Sequence, residues 1–223
     1  MKYFIYFIRE AHSNIKNLQE EINMNTNIFL EAVANRRSHY GINKEEIVSR
    51  DRIVEIVNEA VRHAPSAMNS QSARVVVLLG EQHDRLWEIT RETLRKILPA
   101  GAFKSTDEKV DAFKAGYGTV LFYEDKAVVT GLEEQYVLYK DNFQPWSYQS
   151  SGMLQFIVWT ALSSEGLGAS LQHYNPLIDD EVAETFGVDK NFKLIGQLVF
   201  GNPTSEASEK GSGNLESRIT ILQ

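Results

Sequence analysis

Residues 147–174 read SYQSSGMLQFIVWTALSSEGLGASLQHY and contain the two elements that decide the fold. Apolar side chains occupy nearly every side of the first part, which predicts a helix over residues 147–164 at the centre of a core or an interface. Gly166 and Gly168 then interrupt the pattern, and a strand is predicted over residues 169–174. We interpret the two glycines as a helix stop. They follow a helix and precede a strand, which is the wrong order for a dinucleotide-binding turn.

Helices and strands alternate irregularly on either side of this stretch. Helices are expected over residues 28–35, 53–64 and 86–97, where apolar residues recur at helical spacing. Continuous apolar runs predict buried strands over residues 75–79, 119–123 and 192–200. The mixture predicts an α+β protein, with a mixed sheet of four to five strands flanked by helices in a sandwich, and not a regular doubly wound sheet.

Four shorter elements complete this prediction. Residues 127–129 could continue the strand that begins at residue 119, and residues 133–140 are expected to form a short helix. An acidic helix is predicted over residues 177–186, and residues 219–222 could add an edge strand.

The first 23 residues differ in composition from the rest of the chain. We expect them to be an N-terminal extension, followed by one domain over residues 24–223. The apolar run of residues 3–8 is too short for a signal peptide; an amphipathic helix for membrane contact is the alternative. No stretch approaches the roughly 20 apolar residues of a membrane-spanning helix. The sequence therefore predicts a soluble, cytoplasmic protein without a membrane partner.

The amino-acid composition excludes several kinds of active site and binding partner. The 223 residues include no cysteine, which excludes a disulfide framework, a cysteine nucleophile and thiolate-bound zinc or iron–sulfur sites. The 30 acidic and 23 basic residues give a net charge of -7, which argues against a nucleic-acid partner. The five histidines lack the spacing of metal ligands, so no metal site is predicted. Any redox chemistry must come from a bound cofactor, and the expected partner is a small molecule or another protein.

Three polar clusters are not explained by the periodicity. Arg36, Arg37 and Ser38 follow the first predicted helix, where two guanidinium groups and a hydroxyl could bind a phosphate. Alternatively, the two charges complement the dipole at the helix C-terminus.

The other two clusters lie at the ends of predicted strands. Residues 66–71 precede a buried strand, a common position for ligands, although serine and asparagine also suit an ordinary turn. Residues 171–176 read LQHYNP and end a strand with polar groups, either as a site or as a hydrogen-bonded strand terminus.

Taken in order, the three clusters resemble motifs of the nitroreductase superfamily of flavin enzymes. The run from Trp146 to Phe156 together with Gln172-His-Tyr-Asn-Pro176 resembles the branch that contains the fungal fatty-acid-repression nitroreductases and their bacterial relatives. The resemblance covers residue 27 to the C-terminus. It implies an FMN-dependent α+β homodimer with one flavin in each of two interface clefts.

The resemblance also implies which residues bind the cofactor. The FMN phosphate and ribityl chain would be held by Arg36, Arg37 and Ser38, with Lys210 and Ser212 from the C-terminal tail. The flavin would be lined from the partner subunit by a loop containing Ser66, Met68, Asn69 and Gln71. The isoalloxazine ring would be bordered by Leu171, Gln172 and His173.

The implied reaction is ping-pong: NADH or NADPH reduces the flavin, and a nitroaromatic or quinone then takes its place in the same cleft. No catalytic side chain is predicted; His173 or Trp146 could shape the substrate face. The sequence departs from the family at Ser72, where many members have proline, and at His39 and Tyr40, which replace a basic residue. A flavin-binding or lipid-responsive regulatory protein with incidental reductase activity is the alternative function.

Overall fold

The computed structural model describes residue 24, residues 26–211 and residues 213–223. The helices are α1 (residues 26–35), α2 (Arg50–His63), α3 (Glu81–Ile97), α4 (Ala100–Lys114), α5 (Lys126–Gln135), α6 (Lys140–Ser164) and α7 (Asp179–Phe186). The strands are β1 (Ile42–Asn43), β2 (Ala73–Leu79), β3 (Gly118–Asp125), β4 (Gly168–Gln172) and β5 (Phe192–Pro203). Short 3-10 helices cover Ala67–Asn69 and Val137–Tyr139. The predicted extension at residues 1–23 lies outside the described residues.

The five strands form one sheet organised around β5. β3 pairs antiparallel with β5, and β2 pairs antiparallel with β3. β4 and β1 pair antiparallel with successive parts of β5, at residues 197–201 and 202–203. An isolated parallel bridge joins Ser38 to Ala169. The predicted α+β class and strand number are confirmed.

The sheet is buried on both faces. Because side chains alternate along a strand, Val120 and Phe122 of β3 pack into a core with α2 and α6. Leu121 and Tyr123 point the other way, into a core with α3, α4 and α7. This arrangement explains why the strands are continuous apolar runs in the sequence.

Capping side chains decide where two helices begin. Ser49 Oγ accepts a hydrogen bond from the backbone N–H of Arg52 (3.3 Å) and starts α2. Asp125 Oδ1 accepts from the N–H of Ala127 (3.0 Å) and starts α5 directly after β3. The expected strand at residues 127–129 is therefore wrong, and the helix expected over residues 133–140 is instead the end of α5 followed by a 3-10 helix.

Helix α6 begins seven residues before the predicted start and contains Pro145 in its second turn. One face lies in the core through Leu154, Val158 and Leu162, as the sequence predicts. The other face leaves Met153 and Phe156 41% and 37% exposed. The outer face of α6 is thus apolar without a covering element among the described residues.

The sequence missed α4 and β1, and the strand expected over residues 219–222 is wrong because these residues are exposed and lie outside the sheet. Across the described part of the chain, every helix is too short or too polar to traverse a lipid bilayer.

Candidate functional site

A cleft of about 390 Å³ brings the segment after α1 against the C-terminal tail. Its lining consists of Arg36, Arg37, Ser38, Tyr40 and the tail residues 208–211. An Nη2–H of Arg37 donates to the carbonyl oxygen of Ser208 and ties the two segments together. The structure therefore places Lys210 with the predicted cluster, although about 170 residues separate them in sequence. Ser212 lies outside the described residues.

The cleft is cationic. Three cations, Arg36, Arg37 and Lys210, line it together with one carboxylate, Glu209. Burial, and then the neighbouring charge of Arg37, lower the pKa of Arg36. Two adjacent guanidinium groups with few counter-charges create a local positive potential that favours a multiply charged anion such as phosphate.

The guanidinium group of Arg36 lies over the ring of Trp159, which the sequence pattern does not single out as a site residue. Its Cζ lies 4.4 Å from the ring centroid of Trp159 in α6, a cation–π contact. The backbone N–H of Arg36 also donates to the carbonyl of Ala32 (3.1 Å), so the residue lies at the C-terminus of α1. Interaction with the helix dipole and phosphate binding are therefore compatible.

The cationic segment lies directly beside β4. Ser38 bridges Ala169, and the N–H of His39 donates to the Ala169 carbonyl (2.9 Å). A Cβ on Gly168 would stand 2.9 Å from the Cβ of His39, so only glycine permits this approach. Gly166, with φ +88°, ends α6 as predicted, whereas the close packing at Gly168 is a separate role that the sequence did not reveal.

The predicted ring-binding residues continue along the same strand. From Ala169 to Gln172, β4 spans about 10 Å. Gln172 Nε2 donates to Ser170 Oγ (3.0 Å), Leu171 packs on the core, and His173 is exposed beyond the strand end. The cationic segment therefore lies beside the start of β4, and the predicted ring-binding residues lie at its other end.

The loop of residues 66–71 lies elsewhere. Ser66, Asn69 and Gln71 line a second cleft, of about 610 Å³, whose lining residues are all different from those of the cationic cleft. Met68 is exposed. Within a single chain the loop thus lines a different cleft from Arg36, Arg37, Ser38 and Lys210.

This loop is strained. Met68, Asn69 and Gln71 adopt left-handed backbone conformations, with φ of 52°, 53° and 51°. Such conformations cost about 1–3 kcal/mol each outside glycine and cluster at functional sites. Ordinary turn chemistry explains Asn69 but not the methionine and glutamine. The strain favours a binding role over a simple turn.

The end of β3 fixes the strained loop. Arg74 Nη1 donates to the Gln71 carbonyl (2.8 Å), and Arg74 Nη2 donates to Asp125 Oδ2 (2.9 Å). The N–H of Asp125 donates to the Ser72 carbonyl (2.9 Å), and Ser72 Oγ donates to Glu124 Oε2 (2.6 Å). The sequence pattern alone does not single out Glu124 or Asp125.

Trp146, proposed from the resemblance to shape a substrate face, lies at the start of α6. Its ring packs against Phe143, with 5.3 Å between centroids, and against Tyr139 at 6.3 Å. Trp146 lines neither of the two clefts described above, and its role at a substrate face remains a prediction.

The chain matches a known protein family and curated relatives. The model of the Nitroreductase family matches residues 33–202, well over half of the chain. The nitroreductase FRM2 of Saccharomyces cerevisiae is 30% identical over 187 residues, which cover 83% of this chain and 93% of FRM2.

Solved structures of nitroreductases share the fold of this chain. Nitroreductase CinD from Lactococcus lactis in complex with chloramphenicol has a TM-score of 0.81 and 42% identity, covering 87% of this chain and 100% of CinD; its 4-nitrophenol complex scores 0.80. A nitroreductase with bound FMN from Desulfitobacterium hafniense shares the fold at 17% identity, with a TM-score of 0.66 over 87% of this chain and 97% of its own. The chain belongs to the nitroreductase family.

Proposed function

We propose that the protein is an FMN-dependent oxidoreductase that takes electrons from NADH or NADPH and reduces nitroaromatic or quinone compounds. The observation that carries the proposal is the convergence of Arg36, Arg37 and Lys210 beside β4 in a chain of the nitroreductase family. When bound, FMN would supply the hydride chemistry.

The donor chemistry of the site suits this cofactor. Two guanidinium groups, the Lys210 ammonium and the Ser38 hydroxyl can all donate to phosphate oxygens. Gln172 and His173 offer polar groups at the end of β4, where they can orient a ring and border its edge. These residues bind and orient; none of them is needed as an acid or base.

Nitroaromatic substrates are supported by the CinD complexes. CinD binds chloramphenicol and 4-nitrophenol, and this chain shares its fold at 42% identity. The activity test uses both NADH and NADPH as reductants.

We also propose that two copies associate and complete each flavin site together. The strained loop lies in a different cleft from the cations, so a partner subunit is the source of loop residues for each site. Exposed apolar side chains on α1 and α6 offer a surface for a second copy: Ile28, Phe29, Leu30, Met153 and Phe156. Light scattering is expected to give a mass near twice 25.3 kDa, and a stable monomer at micromolar concentration would contradict this proposal.

The activity test uses protein loaded with FMN and supplied with NADH or NADPH. With 4-nitrophenol or a benzoquinone as oxidant, we expect oxidation of the reduced nucleotide at roughly 1 s⁻¹ or faster. Heat-denatured protein with the same amount of free FMN is the control. Flavin binding without turnover above this control would refute the enzymatic proposal and favour the regulatory alternative.

A further inference from the structure

A buried carboxyl group lies at the point where the strained loop joins β2. Glu124 is only 1% exposed and occupies the face of β3 that carries Val120 and Phe122. Ser72, also 1% exposed, directly follows the loop and donates its hydroxyl proton to Glu124 Oε2 at 2.6 Å. The shortness of this bond is typical of a hydroxyl that donates to a carboxylate.

Burying this carboxyl group is not explained by core packing. Among the described residues, Glu124 Oε1 has no hydrogen-bond partner, and burial raises the pKa of the group. A half-satisfied carboxyl group is costly in a core, where an apolar residue would pack without that cost. Glu124 therefore calls for a role that an apolar residue cannot fill.

The hydrogen bonds around Glu124 connect β3 to the end of the strained loop. Ser72 is held twice by β3, through its hydroxyl on Glu124 and through its carbonyl on the Asp125 N–H. Gln71, the last strained residue, is held through its carbonyl by Arg74, which pairs with Asp125. Of the side-chain bonds among these, the one from Ser72 to Glu124 is the most deeply buried.

We propose that Glu124 is a positioning residue that, through Ser72, holds residues 66–71 in the left-handed conformation required to line the flavin. The inference rests on the proposed flavin function. It also gives a reason for serine at position 72, because the Ser72 hydroxyl supplies the donor to Glu124. The restraint on the backbone after the loop is thus a buried hydroxyl–carboxyl hydrogen bond.

The first test needs no cofactor. In the flavin-free protein, the amides of Asn69, Ser70 and Gln71 all donate hydrogen bonds within the loop. We expect Ser72→Ala and Glu124→Met to speed hydrogen exchange at these amides by roughly tenfold, the loss expected for one buried hydrogen bond. Glu124→Gln retains an oxygen acceptor for Ser72 and should stay within about twofold of wild type.

A matched control separates positioning from general loss of stability. Thr90→Val removes a hydroxyl that is also fully buried, in α3 on the opposite side of the sheet. It should leave exchange in the loop unchanged. Acceleration spread evenly over β2 and β3 in the Ser72 and Glu124 variants, instead of confinement to the loop, would overturn the inference.

The second test measures FMN affinity by fluorescence titration. Ser72→Ala and Glu124→Met should bind FMN roughly tenfold more weakly, and Glu124→Gln should remain within about twofold of wild type. Unchanged exchange and affinity in the first two variants, or equal loss in Glu124→Gln, would overturn the positioning role. Faster loop exchange in a protein whose wild type binds no FMN would support the positioning of the loop and refute the flavin function.

Discussion

Acidification should destabilise this protein in part through a buried histidine, His83. His83 in α3 is fully buried, and its Nδ1 lies 2.9 Å from Thr119 Oγ1. Trp87 Nε1 donates to the same oxygen (3.1 Å), so the Thr119 hydroxyl is free to donate to Nδ1. His83 Nε2–H donates to the Lys114 carbonyl (3.3 Å). Both ring nitrogens are thus satisfied in the neutral form.

The size of the stability loss on acidification follows from the pKa of His83. Burial lowers the pKa of His83 from 6.5 to about 4. Between these values the unfolded chain binds a proton that the folded chain does not, so stability is complete above pH 6.5 and falls as the pH drops toward 4. The full loss is about 3 kcal/mol of unfolding free energy, of which about 2 kcal/mol is lost by pH 5.

Urea denaturation at pH 7.5 and pH 5 measures this loss. Acidic residues contribute to the pH dependence of every variant, so the informative quantity is the difference between wild type and His83→Gln. We expect His83→Gln to lose about 2 kcal/mol less than wild type between the two pH values. Thr90→Val, a buried substitution in the same helix that removes no titratable group, should keep the wild-type loss. An equal loss in wild type and His83→Gln would refute the reasoning.

Three further predictions concern the site and the interface. Gly168→Ala should lower the free energy of unfolding by about 1–3 kcal/mol and weaken FMN retention, because its added Cβ has no room. Thermal unfolding measures the loss of stability. Gly131→Ala is the control, since its Cβ would meet nothing within 4 Å. Arg36→Ala should raise the FMN dissociation constant at least about tenfold in fluorescence titrations by removing a charge-assisted contact, whereas Arg85→Ala on α3 should not. Met153→Glu should shift the protein toward monomer in sedimentation velocity, and an unchanged sedimentation coefficient would argue against this interface.

Much of the fold could be predicted because helical and strand periodicities are local. In α2, the apolar spacing selects Ile53, Ile56 and Val57, and all three are buried. The spacing also selects Val61, which is exposed, since periodicity defines a face but not the elements that cover it. At residues 127–129 the apolar run is compatible with helix and strand, and the capping bond of Asp125 decides between them.

In the candidate site, too, the sequence predicts groups of adjacent residues but not contacts between distant ones. Arg36, Arg37 and Ser38 are adjacent in sequence, so their shared chemistry is visible without a structure. Trp159 beneath Arg36 could not be predicted, because the contact joins residues more than 120 positions apart. Glu124 was missed for the same reason: a carboxyl at a strand end has no evident role until Ser72 is placed against it.

The visible absorption spectrum of the purified protein, incubated with FMN and then desalted, tests the central claim most directly. The site geometry predicts that close to one flavin per chain is retained and that NADH or NADPH bleaches its absorption under anaerobic conditions. A colourless protein after desalting would contradict the claim that Arg36, Arg37 and Lys210 form a flavin phosphate site.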